Sequence, residues 1–102
     1  DVSHNTALTD LDCSNNQLTA LDVSHNTALT DLRCFLNKIS GDNMTALVNN
    51  LPIRTAGNQG IFCVIALGDP DEQNVCTTAQ VDIATGKNWI VRDADDNPYP
   101  GS

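Results

Sequence analysis

The chain has 102 residues, of which 13 are acidic and 5 are basic, so its formal charge is −8 at neutral pH. A chain of this length forms one domain with a modest core. The acidic balance argues against nucleic acid or an anionic membrane surface as a partner, because both bind clusters of lysine and arginine. No apolar run reaches the roughly 20 residues that a membrane helix needs, so membrane insertion is not expected.

One segment occurs twice near the beginning of the chain. The sequence DVSHNTALTDL stands at residues 1–11 and again, unchanged, at residues 22–32. Such a repeat predicts stacked units, each of which buries its apolar face against the next. The chain begins inside a copy, without a methionine or an export leader, so we expect it to be a fragment of a longer protein.

Alignment of the two copies defines the pattern L-x-x-L-x-[L/C]-x-x-N-x-L, which runs from Leu8 to Leu18 and from Leu29 to Ile39. The middle of the pattern predicts a short strand, in which apolar residues point inward and alternate residues point outward. The short interval between the copies leaves room only for an extended or turn-like return segment.

Two asparagines, Asn16 and Asn37, come where the chain leaves each predicted strand. A buried asparagine there bonds backbone groups that the turn leaves unpaired, so stacked copies form a structural ladder. Cys13 and Cys34 occupy one inward position of adjacent copies. A disulfide between neighbouring strands is sterically awkward, and we interpret both as buried thiols.

The repeats read LTALDVSHNTALTDL followed by LxCSNNQL. This sequence resembles the leucine-rich repeats of secreted or surface proteins from Bacteroidetes-type bacteria, with some likeness to internalins. The resemblance covers residues 1–40. It implies an α/β solenoid with a period of about 21 residues, parallel strands on its concave face and a C-terminal α/β cap. It also implies an exported bacterial protein, extracellular or held at the cell surface.

Residues 41–102 no longer follow the period. Helical spacing of apolar residues within S40GDNMTALVNNLP52 predicts an amphipathic helix, capped by Ser40 or Asp42 and ended by Pro52. Its apolar positions are Met44, Leu47, Val48 and Leu51. Gly57 to Gly60 marks a turn.

Three further elements are predicted in the second half of the chain. The apolar run Ile61–Leu67 predicts a strand buried on both faces. Thr77 or Thr78 caps a second helix, roughly Ala79–Thr85, and Trp89–Arg92 predicts another strand. A strand, a helix and a strand in this order predict a parallel pair. We expect the pair to continue the repeat sheet, with residues 41–102 as its cap.

The residues that usually carry chemistry show no catalytic pattern. His4 and His25 are copies of one repeat position, and we interpret them as exposed turn residues. Cys63 and Cys76 lie in apolar stretches, where they form a disulfide if the protein is exported or remain buried thiols otherwise. No zinc-ligand spacing and no nucleophile motif occurs. We therefore predict no enzyme activity, no catalytic residue, no cofactor and no metal site.

Two acidic loops remain. The first loop contains Asp69, Asp71, Glu72 and Asn74. The second loop contains Asp93, Asp95, Asp96 and Asn97. The second begins like a calcium loop, but Pro98 stands where such a loop has glycine. Solvated turns are the prediction for both, with calcium binding as the alternative for the second.

The predicted concave face is the candidate binding surface. Its outward positions are Asp10, Asp12, Ser14, Asp31, Arg33 and Phe35. Arg33 replaces Asp12 of the first copy and Phe35 replaces Ser14, and both residue types are common interface anchors. The alternative is drift at unconstrained surface positions. Two or three strands also offer little area, so a partner would need further repeats.

The sequence therefore favours a non-catalytic module that binds an unidentified protein or glycan. The alternatives are a structural spacer or closing cap without a partner, and a calcium- or glycan-binding module in residues 61–102. Self-association is also predicted, because Leu8, Leu11 and Leu18 lie under an open end of the repeats.

Overall fold

A computed structural model describes residues 6–102, which form an α/β domain with four strands and two helices. In chain order the elements are β1 (Asp10–Asp12), β2 (Asp31–Arg33), α1 (Gly41–Asn49), β3 (Gly60–Ile65), α2 (Thr78–Gly86) and β4 (Trp89–Asp93). The helix, strand, helix and strand predicted after residue 40 are all present. Each repeat copy contributes one short strand.

The four strands form one parallel sheet in the order β1-β2-β3-β4. The strands of the duplicated segments pair residue for residue, with Asp10 opposite Asp31 and Leu11 opposite Leu32. β3 pairs with β2, and β4 pairs with β3. The prediction that the later strands form a parallel pair and continue the sheet of the repeats is confirmed.

The core lies between the helices and one face of the sheet. Strand residues Leu32, Phe62 and Val91 and helix residues such as Leu47 and Val81 belong to one buried cluster. Paired residues of a parallel sheet point to the same side, so the alternate residues of each strand point away from this core. No helix within residues 6–102 covers that second side, which we call the open face.

Local sequence signals account for both helices. In α1, Met44 and Leu47 are buried at helical spacing, and Ser40 is the N-cap residue. α2 begins with a reciprocal cap. The Gln80 backbone N–H donates to the Thr77 hydroxyl at 3.3 Å, and the Thr77 backbone N–H donates to the Gln80 side-chain oxygen at 2.8 Å. Each bond satisfies a donor that the first turn of a helix leaves unpaired.

A single tryptophan ties β4 to the segment that follows α1. The Trp89 indole N–H donates to the Pro52 carbonyl at 2.7 Å. The indole ring lies so close to Gly60 that a Cβ at this position would be 2.5 Å from it. Gly60 is the first residue of β3, where the sequence predicts a turn, and the close approach of the ring explains why glycine stands there.

Asparagines bond the backbone where the repeat strands end. The Asn37 side-chain amide donates to the carbonyl oxygens of Cys13 at 3.0 Å and Cys34 at 2.9 Å, and its oxygen accepts the Leu18 N–H at 3.0 Å. Asn16 donates to the Cys13 carbonyl at 2.8 Å. The repeat pattern predicts two buried asparagines, but only Asn37 is buried. Asn16 is exposed because β1 is the outermost strand of the sheet.

A third asparagine, Asn74, makes the same bonds one strand further on. Its amide donates to the carbonyl oxygens of Cys34 at 2.7 Å and Val64 at 2.9 Å, and its oxygen accepts the Ile39 N–H at 2.8 Å. The sequence predicts a solvated loop here, and for Asn74 this prediction is wrong. The side chain is buried because it satisfies backbone groups between two turns of the chain.

Candidate functional site

The residues predicted to bind a partner lie on the open face or next to it. Asp10 pairs with Asp31 and Asp12 pairs with Arg33 across the first two strands. Asp10, Asp12 and Asp31 are exposed, and Arg33 is half-buried. Phe35 follows two residues after Arg33, is half-buried and does not belong to the core cluster. Its side chain is therefore partly accessible to solvent, next to the end of β2.

A shallow depression of about 230 Å³ lies between β1 and β2 on this face, lined by Asp10, Leu11, Asp12, Asp31 and Arg33. The Ser14 hydroxyl donates to the Asp12 carboxylate at 2.5 Å, and the Ser14 backbone N–H donates to it at 3.1 Å. These two bonds, with a smaller contribution from the charge of Arg33, lower the pKa of Asp12. The depression therefore presents the ionised Asp12 carboxylate beside one guanidinium group.

A second arginine, Arg92, extends this surface and is missing from the sequence prediction. It pairs with Cys63, which in turn pairs with Arg33. The Arg92 guanidinium donates to the Asp96 carbonyl at 3.0 Å, and the Arg33 guanidinium lies 3.8 Å from the Asp96 carboxylate. The alternation in WIVRD, with its first and third residues in the core, is the sequence signal for Arg92 on the open face.

The loop that resembles the start of a calcium loop is organised by its own first carboxylate. One Asp93 oxygen accepts the backbone N–H groups of Asp95 at 2.8 Å and Asn97 at 3.1 Å. Within residues 6–102, no three histidine, cysteine or acidic side chains are grouped as a metal site requires. His25 is exposed, as predicted. His4 lies outside the described residues.

The four cysteines are free thiols. Burial raises the pKa of Cys13 and of Cys76 to about 11, and raises the pKa of Cys34 well above its usual value. The thiol of Cys63 lies 3.6 Å from the Asp96 carboxylate, whereas Cys76 belongs to the core cluster. Of the two alternatives predicted for Cys63 and Cys76, a disulfide or two buried thiols, the structure contains the two buried thiols.

A second concavity of about 290 Å³ lies beyond the carboxyl ends of β1 and β2. The turn after β1, the turn after β2 and the loop at residues 69–73 form its walls. Its lining includes Asn15, Gln17, Leu36, Lys38, Asp71 and Gln73. We call it the amide groove, because side-chain amides make up half of this set. The sequence prediction does not identify it, since three separate segments contribute to it.

One carboxylate holds the walls of the amide groove together. A Glu72 oxygen accepts the backbone N–H groups of Leu36 at 2.8 Å and Ala66 at 2.7 Å, and its other oxygen accepts the Asn74 N–H at 2.8 Å. The sequence predicts that Glu72 lies in a solvated loop. This prediction is wrong for Glu72, because three backbone donors use its carboxylate and fix the loop against the turn after β2.

Comparison with protein-family models, with curated proteins and with solved structures finds no match to this chain. Neither helix within residues 6–102 is long and apolar enough to cross a membrane. The open face and the amide groove are therefore the basis for assigning a function.

Proposed function

We propose that this chain is part of a leucine-rich-repeat solenoid in an exported bacterial protein, secreted or held at the cell surface. Residues 1–40 supply repeats, and residues 41–102 serve as the α/β cap. The module binds another protein through the open face and catalyses no reaction. Binding depends on shape and charge complementarity with a rigid sheet.

Hydrogen bonds that recur from one turn to the next support the repeat part of the proposal. The Lys38 N–H donates to the Leu18 carbonyl at 2.7 Å, and the Val75 N–H donates to the Ile39 carbonyl at 2.9 Å. The N–H groups of Leu18 and Ile39 both donate to asparagine side chains. Equivalent bonds at successive strands are expected of stacked units.

The binding proposal rests on one observation: two of the positions at which the copies differ lie outside the core. Arg33 replaces Asp12 and Phe35 replaces Ser14, and none of these residues belongs to the core cluster. Leu8 and Leu11 of the first copy recur unchanged as Leu29 and Leu32, which belong to the core cluster. Arg92 adds a second guanidinium group to the same face, and arginine with aromatic residues is enriched at protein interfaces.

The chemistry of the cysteines supports a non-catalytic module. A reactive cysteine needs a lowered pKa and access to solvent. Cys34 and Cys76 are buried, and burial raises the pKa of both thiols. Thiols in this state are poor nucleophiles, so neither cysteine is suited to nucleophilic catalysis.

Site-specific photocrosslinking tests the binding proposal. Benzoylphenylalanine replaces Phe35 in the full-length protein on the cells that display it, and in a control it replaces Ile53, which is 78% exposed and lies between α1 and β3. We expect a defined protein adduct from position 35 that is absent from position 53 and is lost with Arg33→Glu. No adduct, or identical adducts from both positions, would favour the spacer function instead.

Self-association through the outer side of β1 is a separate part of the proposal. Leu8, Leu11 and Leu18 are only half-buried. Burial of their remaining apolar surface favours a contact between two copies at this end. Light scattering at increasing protein concentration measures the molar mass, and a monomer throughout would contradict the contact.

A further inference from the structure

The amide groove contains unused hydrogen-bonding capacity. Among residues 6–102, the side chains of Asn15, Gln17, Lys38, Asp71 and Gln73 have neither a hydrogen bond nor an ion pair with one another or with any other residue. Each amide offers two N–H donors and one carbonyl acceptor. Donors and acceptors from three chain segments therefore converge on one small volume.

The mixture of groups identifies the chemistry of the ligand. Lys38 and Asp71 supply one charge of each sign, so the groove does not select a strongly charged ligand. A carboxylate or a phosphate diester only accepts hydrogen bonds and would leave the amide oxygens unmatched. Each hydroxyl of a neutral sugar both donates and accepts, which matches a lining of amides. The volume of about 290 Å³ lies at the lower end of the range for ligand sites and suits one sugar ring.

Leu36 supplies the apolar surface that a sugar ring also requires. Its φ of 60° is left-handed, and the equivalent residue of the first copy, Asn15, has a φ of 61°. Asparagine tolerates this conformation better than leucine does. Leu36 lines the groove and does not pack on the core cluster, so core packing does not explain the strained leucine. Backbone strain of this kind is concentrated at functional sites.

The backbone of the groove walls is fixed before a ligand arrives. The Glu72 carboxylate fixes the loop at residues 69–73 through three backbone donors. Asn37, in its floor, is fixed by bonds to both neighbouring strands. Little backbone entropy is therefore lost when a ligand binds, and only the exposed side chains that line the groove become ordered.

We propose that the amide groove binds one neutral hexose unit of an oligosaccharide. The C–H face of the ring packs on Leu36, and the ring hydroxyls exchange hydrogen bonds with the amides of Asn15, Gln17 and Gln73. This site is distinct from the open face, and it does not depend on the protein-binding function proposed above.

Nuclear magnetic resonance of the ¹⁵N-labelled protein tests the proposal directly, because side-chain amides give their own signals. The probes are maltohexaose, cellohexaose and mannohexaose at millimolar concentration. We expect at least one to shift the side-chain signals of Asn15, Gln17 and Gln73 in a saturable manner. Leu36→Asn should weaken that binding roughly tenfold, whereas Gln59→Ala, which changes an exposed glutamine outside the groove, should not weaken it.

The proposal is wrong if none of the three sugars shifts these signals, or if inorganic phosphate shifts them as strongly as a sugar does. It is also wrong if folded Leu36→Asn binds the sugar as tightly as the unchanged protein. Thermal unfolding of each variant verifies folding. Arg33→Glu, on the open face, should leave sugar affinity unchanged, so failure of the protein-binding function and failure of this site are distinguishable.

Discussion

Replacement of Asn74 by alanine is expected to destabilise the domain more than any comparable change among its exposed amides. Asn74 is 6% exposed, and its side chain makes three hydrogen bonds to backbone groups. The alanine variant removes all three. The Cys34 carbonyl keeps a second donor, Asn37, at 2.9 Å. The buried Ile39 N–H and the Val64 carbonyl lose the bonds that Asn74 provides.

The size of the effect follows from those two groups. A buried polar group without its partner costs about 1 to 3 kcal/mol, so Asn74→Ala should lower the free energy of unfolding by about 3 kcal/mol. This is a large part of the roughly 5 to 15 kcal/mol that stabilises a domain. Asn16→Ala is the matched control, because Asn16 makes similar bonds but is exposed, and water replaces them at a loss of about 0.5 kcal/mol.

Urea unfolding followed by the fluorescence of Trp89, the single tryptophan, measures both variants. With a slope of about 1.5 kcal/mol per molar urea, the midpoint should fall by about 2 M for Asn74→Ala. Asn74→Asp separates hydrogen bonding from loss of volume: it keeps an acceptor for the Ile39 N–H but sets a carboxylate against two carbonyl oxygens, so it should be at least as unstable. Equal stability of Asn74→Ala and Asn16→Ala would refute the reasoning.

Three further changes test other parts of the structure. Leu36→Asn should raise the free energy of unfolding by about 0.5 kcal/mol, because it relieves a left-handed leucine and removes no core contact; a lower melting temperature in calorimetry would contradict this. Gly60→Ala should cost about 2 kcal/mol and shift tryptophan emission to longer wavelength, since the new Cβ would lie 2.5 Å from the Trp89 ring; unchanged emission and stability would count against the contact. The Cys76 thiol has a pKa of about 11 in the folded protein, against an ordinary value of 9.0. Its contribution to the free energy of unfolding is therefore fully present below pH 9 and falls by up to about 2 kcal/mol as the pH rises toward 11. Urea titrations across this range should show a shallower decline in Cys76→Ala, and identical slopes would contradict the burial of the thiol.

The sequence contained enough local information to predict the elements of the second half. Apolar spacing that includes Met44 and Leu47 predicts α1, and a cap at Thr77 or Thr78 predicts where α2 begins. The order of elements then predicts a parallel pair at the edge of the repeat sheet, which the topology confirms. These features depend on residues close together in the chain, where periodicity and capping are informative.

Contacts between distant segments could not be predicted in the same way. Asn74 follows the motif N-x-apolar, as Asn16 and Asn37 do, but a helix and a strand separate it from the second copy, so the regular spacing of the repeats no longer marks it. Glu72 lies in a stretch of acidic residues, and nothing in that stretch distinguishes it from its exposed neighbours. Its role exists only because folding brings the turn after β2 beside its loop. The amide groove depends on the same long-range contact.

Phe35 and Leu36 show why a duplicated segment is informative about function. Selection for folding alone predicts that copies keep the residue that best satisfies the backbone, and at the left-handed position this residue is asparagine. Leu36 has a less favourable conformation there, and Phe35 leaves an aromatic ring outside the core cluster. Stability explains neither replacement. The two replacements lie at different surfaces, since Phe35 follows β2 beside the open face and Leu36 lines the amide groove.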